Sequence, residues 1–360
     1  MLGKVALPDG RASDTHARKR PIFMIIESSA PTRADLAGGT IDIWPLYLFH
    51  AGASTVNFAL SLRAHVRIET RDDDRIILES RDREVRFETS IDRSDDLAND
   101  MQLELVSKMV HFFRPETGFH LIAHSEAPAG AGISGSSALA IALIGALNRL
   151  AGDRYDEGSF IGIAANVETT VIKVPAGIQD YYPALYGSAS CIHLRPDGVE
   201  REHLAIEEDE INRRFVICYT GQPRMSGINN WEMFKRHING DAEVFEIFER
   251  IRDAAEQMRD ALLANDWDAV REIMRAAYPN RKRLAPNITT PHMDAIVAKA
   301  LANGAEAAKV CGAGGGGCIA FLCTEGRNQD VERALASEAG AEILNWKVSP
   351  EGLLVQNRER

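Results

Sequence analysis

Long hydrophobic runs are missing from this 360-residue chain: none approaches the roughly 18 to 20 residues that a membrane-spanning helix needs. A helical membrane span is therefore excluded. Cysteine is scarce. The five thiols, Cys191, Cys218, Cys311, Cys318 and Cys323, form no C-x-x-C pair, so neither a disulfide framework nor a zinc ribbon is indicated, and they read as reduced core residues. The 10 histidines show neither H-E-x-x-H nor H-x-x-E-H spacing, and no structural metal is expected. Basic residues are outnumbered 41 to 52, a net charge of -11. An acidic surface repels a phosphate backbone, which argues against nucleic acid as a partner. The opening MLGKVALPDGRASDTHARKR lacks an apolar h-region, so residues 1–21 read as a flexible tail rather than a secretory signal, and the expected location is cytoplasmic.

What remains is an ordinary globular balance, 45% hydrophobic and 26% charged, on a chain too long for one simple core. Two lobes are expected, with a boundary near residue 200. Apolar and β-branched runs predict strands over 22–29, 54–70, 75–80, 84–89, 119–124, 189–194, 215–219, 307–311, 318–323, 342–348 and 352–355. The turn-rich Ala30-Pro31-Thr32-Arg33 ends the first of these, and the short strands over 75–89 could pair with the long one as a meander. Helical spacing covers 97–113, 136–150, 158–172, most of 229–277 with breaks near 239–240 and 265–266, then 291–302 and 329–339. This order is α+β, unlike a repeating βαβ series.

Glycine, 28 residues in all, is unevenly placed. Pro128-Ala-Gly-Ala-Gly-Ile-Ser-Gly-Ser-Ser-Ala138 leaves a predicted strand and enters the apolar helix, and its glycines let backbone approach a ligand while the helix N-terminus suits an anion. Phosphate is the natural guest; a connector with serine N-caps is the bland alternative. No Lys precedes the serines, so this is not a Walker A loop, and the unit lacks the flanking βαβ and placed acid of a Rossmann turn. A second cluster, Gly312-Ala-Gly-Gly-Gly-Gly317, sits between two apolar strands behind Lys309. A third, Ala30-Pro-Thr-Arg-Ala-Asp-Leu-Ala-Gly-Gly-Thr-Ile-Asp42, gathers Arg33, Asp35 and Asp42 around a Gly-Gly turn, where a solvated surface ion pair is the alternative.

In order and residue type the three segments resemble the three motifs of the GHMP kinases (galactokinase, homoserine kinase, mevalonate kinase, phosphomevalonate kinase), over about residues 22 to 356. Within that family Arg33-x-Asp-Leu-Ala-Gly-Gly-x-x-Asp42, Ala176-Gly-Ile-Gln-Asp180, Tyr219-Thr-Gly221 and Lys347-Val-Ser-Pro-Glu-Gly352 look like the sugar branch of D-glycero-D-manno-heptose 7-phosphate kinase and the fucokinase kinase module. Two departures stand in motif one: Gly-Gly-Thr-Ile-Asp where heptose kinases usually carry G-G-G-T-D, and Thr40 where fucokinases usually have Trp.

The resemblance implies an N-terminal lobe (22–200) like ribosomal protein S5 domain 2, a ferredoxin-like C-terminal lobe (201–360), and an ATP- and Mg²⁺-dependent kinase acting as a monomer or homodimer. Pro128, Gly130, Gly132, Ser134, Gly135, Ser136 and Ser137 would cradle the nucleotide phosphates, with Ser136 and Glu168 holding Mg²⁺. Asp180 matches the catalytic Asp, with Arg33 keeping it ionised. Asp42, Asp35, Gly39 and Gln179 would meet the sugar, and Arg224, Arg281 or Lys282 would hold a phosphate already on it, although a basic helix end complementing the dipole is the alternative for Arg281-Lys282-Arg283. The implied acceptor is a heptose 7-phosphate at its anomeric hydroxyl, with a free hexose such as fucose or galactose as the runner-up. A mevalonate-phosphate kinase or decarboxylase and a non-catalytic sugar sensor are rivals.

Overall fold

The structure, a computed structural model, describes residues 23–224, 228–285 and 287–359. Its strands are β1 (Met24–Ala37), β2 (Ser54–Thr70), β3 (Arg75–Ser80), β4 (Val85–Ser90), β5 (Phe119–Ser125), β6 (Ala189–Arg195), β7 (Gly198–His203), β8 (Phe215–Tyr219), β9 (Ala305–Val310), β10 (Cys318–Cys323), β11 (Glu342–Ile343) and β12 (Leu354–Glu359). Its α-helices are α1 (Glu104–Phe113), α2 (Gly135–Leu150), α3 (Phe160–Ile172), α4 (Tyr181–Tyr186), α5 (Glu208–Arg214), α6 (Ile228–Ile238), α7 (Ala242–Leu263), α8 (Trp267–Leu284), α9 (Pro291–Ala302) and α10 (Asn328–Ala336). No helix among the described residues is long and apolar enough to cross a membrane.

Two sheets carry the fold. The first runs β12-β1-β2-β5-β3-β4, with β6 also on β2 and β7 on β6. Helix α2, Ala-, Ile- and Leu-rich and buried on nearly all sides, packs on β1 and β2. The second sheet, β11-β8-β10-β9, is antiparallel throughout, the strand order of a ferredoxin-like unit. Its residues alternate between two cores. Ile217, Ala320 and Leu322 meet Ala255, Met258, Val270 and Met274 of α7 and α8, while Val216, Cys218 and Phe321 meet Met293, Ile296, Val331 and Leu335 of α9 and α10. All five cysteines are buried and free. The chain does not stay with this sheet to its end. Strand β12 returns to the first sheet and pairs antiparallel with Met24–Ser29.

Four sequence expectations give way to tertiary context. The turn-rich stretch after Ser29 is not a turn: β1 runs on to Ala37, antiparallel to β2, with bulges at Pro31/Thr32 and Asp35/Ala37. Burial is alternating up to Ser29 and continuous from Ala30, because there the strand passes between the two sheets; the bulge accommodates the proline. The meander is not formed, since β5 inserts between β2 and β3 and pairs parallel with β3. The helix expected over 97–113 divides into a 3₁₀ segment (Ile91–Asn99) and α1, with the Asp100 carboxylate accepting from the Leu103 amide and the Ser107 hydroxyl at the joint. The strand expected over 342–348 keeps only Glu342–Ile343, and α4, α5 and β7 went unpredicted.

Gly145 lets the closing segment reach α2, for a methyl group there would lie 2.8 Å from Val355 Cγ2 and 3.0 Å from both Leu353 Cδ1 and Ser28 Oγ. Replacing Gly145 by Leu overpacks this contact and is expected to cost about 1–3 kcal/mol. A urea-unfolding midpoint as high as that of the parent protein would refute this account of the packing.

Candidate active site

Strand β1 carries Arg33 and Asp35 into the seam between the sheets, and the Gly38-Gly39 turn brings Asp42 back beside them. Thr40 in that turn has φ +86, a conformation that a β-branched residue adopts only under strain. Its amide donates to Asp42 Oδ1 at 3.0 Å, while the Gln179 amide donates to Asp42 Oδ2 at 3.0 Å. Burial, and then the negative charge of Asp180, push the Asp42 carboxyl up to about 6. Asp180 stands just before α4, a placement that brings it face to face with Arg33.

Arg33 is the centre of the charge arrangement. Its Nε and Nη2 donate to Asp180 Oδ1 at 2.8 and 2.5 Å, and its Nη1 donates to the Gly132 carbonyl at 3.0 Å. Asp35 Oδ1 lies 3.8 Å from Nη1. Burial alone would weaken the guanidinium's hold on its proton, but Asp180 and Asp35 outweigh it and raise the pKa further. Asp35 is driven the opposite way. Burial opposes its ionisation, yet Lys309, with Nζ 2.5 Å from Oδ2, and Arg33 hold it well below the usual carboxylate range. The side chains of Arg33 and Asp35 are 2% and 1% exposed, that of Asp180 20%. All three line the cleft, and Asp180 is the most exposed of them. Its Oδ1 takes both Arg33 bonds, and its Oδ2 has no hydrogen-bond partner among the described residues.

Across the cleft the loop from Pro128 enters α2. Gly130 and Gly132 have positive φ, and so does Ser134 (φ +62), whose hydroxyl bonds the Ile133 carbonyl at 2.6 Å instead of capping the helix. The first-turn amides of Gly135, Ser136 and Ser137 thus face outward without a side-chain cap, as an anion site requires. Ser136 and Ser137 reach the cleft. Pro128, Gly130, Gly132, Ser134 and Gly135 are not among the residues that line it. The loop is held from the second sheet: the Cys318 amide, just after the second glycine cluster, donates to the Ala131 carbonyl at 2.7 Å, and the Arg224 amide donates to the Gly130 carbonyl at 3.1 Å.

Glu168 of α3 accepts from Ser136 Oγ (2.6 Å), Ser137 Oγ (3.2 Å) and Tyr181 OH (2.7 Å). Burial raises its pKa despite these bonds. A buried carboxylate beside two serine hydroxyls, with no ammonium or guanidinium partner among the described residues, is a hard-oxygen set that fits Mg²⁺.

The candidate cations separate. Arg281 is buried and spent on the protein: Nη2 donates to the Gly312 carbonyl at 2.7 Å, and Nη1 to the Gly39 carbonyl at 3.3 Å and to Thr40 Oγ1. It clamps motif one to motif three. Lys282 does not join the cleft, because the next position on a helix turns away. Its ammonium bonds Asp294 of α9 at 2.9 and 3.0 Å. Arg224 lines the cleft, its side chain has no hydrogen-bond or ion-pair partner among the described residues, and burial and the Arg33 charge lower its pKa. A methyl group on Gly312 would lie 2.3 Å from Arg224 Nη1, so only glycine leaves the guanidinium its slot. Gly39 and Gln179 also line the cleft, and Gln179 Oε1 is buried there without a partner among the described residues. Sequence reasoning missed the Tyr181 hydroxyl on Glu168, the strain at Thr40 and the clamp by Arg281. The Gly-Gly turn hinted at the second; nothing local hinted at a clamp spanning 242 residues.

The family description "GHMP kinases N terminal domain" matches residues 104–188, and "GHMP kinases C terminal" matches residues 258–342. The chain is similar to the D-glycero-alpha-D-manno-heptose 7-phosphate kinase of Campylobacter jejuni, 26% identical over 91% of this chain and 98% of that protein. It is also similar to the mevalonate kinase of Thermococcus onnurineus, 27% identical over 92% and 99%. The solved structure of a D-glycero-D-manno-heptose 1-phosphate kinase from Bacteroides thetaiotaomicron shares the fold, with a TM-score of 0.71 at 22% identity over 92% of this chain and 98% of that one. Both domains occur in order on one chain, and relatives align with it almost end to end. The chain belongs to the GHMP kinases and is a small-molecule kinase.

Proposed function

We propose that the chain transfers the γ-phosphoryl group of ATP to a hydroxyl of a sugar that already carries a phosphate. The observation that carries this reading is Asp180, which lines the cleft with one oxygen bound twice by Arg33 and the other without a hydrogen-bond partner among the described residues. An acceptor hydroxyl hydrogen-bonded to Oδ2 gives up its proton there as its oxygen forms the new bond to the γ-phosphorus and the bond to the bridging oxygen breaks, releasing ADP. Phosphoryl transfer asks mainly for positioning and charge neutralisation, and Arg33 fixes Asp180 through two hydrogen bonds to Oδ1, which leaves Oδ2 to receive the proton. The α2 amides and the loop from Pro128 to Ser137 hold the phosphates. Ser136 and Glu168 would hold Mg²⁺, which supplies charge neutralisation at the phosphate oxygens.

On the acceptor side, Asp42 and Gln179 Oε1 offer hydrogen-bond acceptors to sugar hydroxyls, and Gly39 leaves room beside them. The sugar's own phosphate is assigned to Arg224, whose guanidinium has no counter-ion among the described residues, and not to Arg281 or Lys282, which are engaged elsewhere. Asp35 acts on Arg33 rather than on the sugar. The similarity to the Campylobacter jejuni enzyme supports D-glycero-D-manno-heptose 7-phosphate, phosphorylated at the anomeric hydroxyl, as the first acceptor. An ADP-release screen over free and phosphorylated hexoses and heptoses, with mevalonate included, tests the assignment. Turnover confined to a free sugar or to mevalonate would overturn it.

Three outcomes are expected. Asp180→Asn lowers kcat by about 10²–10⁴-fold with ATP binding preserved; unchanged turnover removes Asp180 from the reaction. Arg224→Ala raises KM about 10-fold or more for the phosphorylated sugar, the loss of a charge-assisted contact, and spares its unphosphorylated counterpart. Equal losses for the two sugars would cancel the assignment of Arg224. Because the ionised Asp42 carboxylate accepts more strongly from the sugar than the acid does, and burial pushes this carboxyl up to about 6, acceptor KM rises, by up to about tenfold, from pH 7 to pH 5 while KM for ATP stays level. A flat acceptor KM, or one that falls with falling pH, would contradict that role.

A further inference from the structure

Asp35 and Lys309 are 274 residues apart in sequence and meet in the interior, where neither touches the reacting groups. Lys309 projects from β9 of the second sheet, and Asp35 stands near the end of β1 in the first. Their side chains are 8% and 1% exposed. A buried ion pair is a poor source of stability, since desolvating both partners cancels most of their attraction. Its geometry points to a different use. Lys309 Nζ takes Asp35 Oδ2 at 2.5 Å, and the Gly312 amide takes Oδ1 at 3.2 Å. With both oxygens engaged, Asp35 stays 3.8 Å from Arg33 Nη1, and the short bonds of Arg33 go to Asp180.

We propose that Lys309 is a positioning residue for phosphoryl transfer: by holding Asp35 it decides how Arg33 divides its guanidinium between Asp35 and Asp180. This rests on the reading that Asp180 receives the acceptor proton. Signs alternate along the series Lys309, Asp35, Arg33, Asp180, which crosses from the second sheet to the first. Loosening its first member frees Asp35 to draw Arg33 away from Asp180; neutralising Asp35 leaves Arg33 to Asp180 alone. Other charges face the same groups. Arg281 of α8 acts on Asp35 and Arg224 on Arg33, while Asp42 and, from α3, Glu168 act on or beside Asp180. The Cys311 thiol between them, pushed up to about 11 by burial, is uncharged in the working range.

The sign of the pH effect follows from the charges. On the acid side kcat falls as the proton acceptor is protonated in the bound complex. A weaker hold by Arg33 moves that limb to higher pH, and a stronger hold moves it to lower pH. In the full-length enzyme, Lys309→Met is therefore expected to shift the acid limb of kcat upward and to lower kcat about 10- to 100-fold, the usual cost of a small displacement at the reacting centre, with KM for ATP unchanged. Lys309→Arg restores the parent profile. Asp35→Asn shifts the limb downward. The double variant Lys309→Met/Asp35→Asn removes both members of the buried pair, so it melts closer to the parent protein than Lys309→Met does, and its limb coincides with that of Asp35→Asn because Lys309 acts through Asp35. Thermal melting accompanies each profile. Loss of melting temperature with every limb in its parent position would reduce the pair to a structural tie, and a double variant whose limb departs from that of Asp35→Asn would show Lys309 acting by another route. Turnover retained in Asp180→Asn would instead remove the proton-acceptor reading while leaving the ion pair in place, so the two failures are separable.

Discussion

A guanidinium taken out of water has to be met by negative charge, and the way Arg33 meets that demand organises the interior of this molecule. Its carboxylates come from different parts of the chain: Asp180 from the segment before α4, Asp35 from its own strand two residues on. Two residues along a strand put Asp35 on the same face as Arg33, and the bulge between Asp35 and Ala37 then turns the chain into the Gly-Gly turn. Asp35 in turn brings in Lys309 from the second sheet. The seam between the sheets is thus closed by polar residues whose charges nearly balance, with α2 and the second glycine cluster packed around them. Gly312 there is a consequence of the charges. Backbone must come within a hydrogen bond of Asp35 and within contact distance of Arg224, and a side chain at Gly312 would occupy the guanidinium's place.

Much of this was legible in the sequence because it is local. The glycine loop and the apolar α2 that follows it declare themselves through composition and period, and β2, β3, β8, α9 and β10 appear with the bounds that alternation and helical spacing predict. Arg33 and Asp180 could be nominated because each stands in a short motif, Glu168 only through the family resemblance. What the sequence concealed has a common cause. The continuation of β1 through Pro31, the parallel pairing of β3 with β5, the return of β12 and the engagement of Arg281 and Lys309 all depend on partners far along the chain. Propensity reads Ala-Pro-Thr-Arg as a turn because it weighs neighbours; burial between two sheets overrides it. A basic tripeptide such as Arg281-Lys282-Arg283 is likewise uninformative until the helix is oriented. One member then points into the seam, and Lys282 bonds Asp294 on the outside.

The net charge of -11 would seem to oppose a site for anionic ligands, yet net charge is the wrong measure of the field inside the cleft. Exposed charges are screened beyond roughly 8 Å at physiological salt, whereas buried ones are screened much less. The field that a phosphate meets here is set by a few groups. Lys309 and Arg33 are neutralised by Asp35 and Asp180, and Arg281 is taken up by carbonyls and a hydroxyl. Arg224 and the outward amides at the start of α2 remain, and neither has a compensating anion among the described residues. The acidic Glu168 is tied to both serine hydroxyls, and beside a phosphate a carboxylate so placed suits a divalent cation. On the proposed reading the cleft divides its charges by function: positive charge from Arg224 and the helix N-terminus, a carboxylate suited to Mg²⁺, and an Asp180 bound twice by Arg33. An acidic exterior does not disturb that division, because each of its parts is decided within one or two hydrogen bonds.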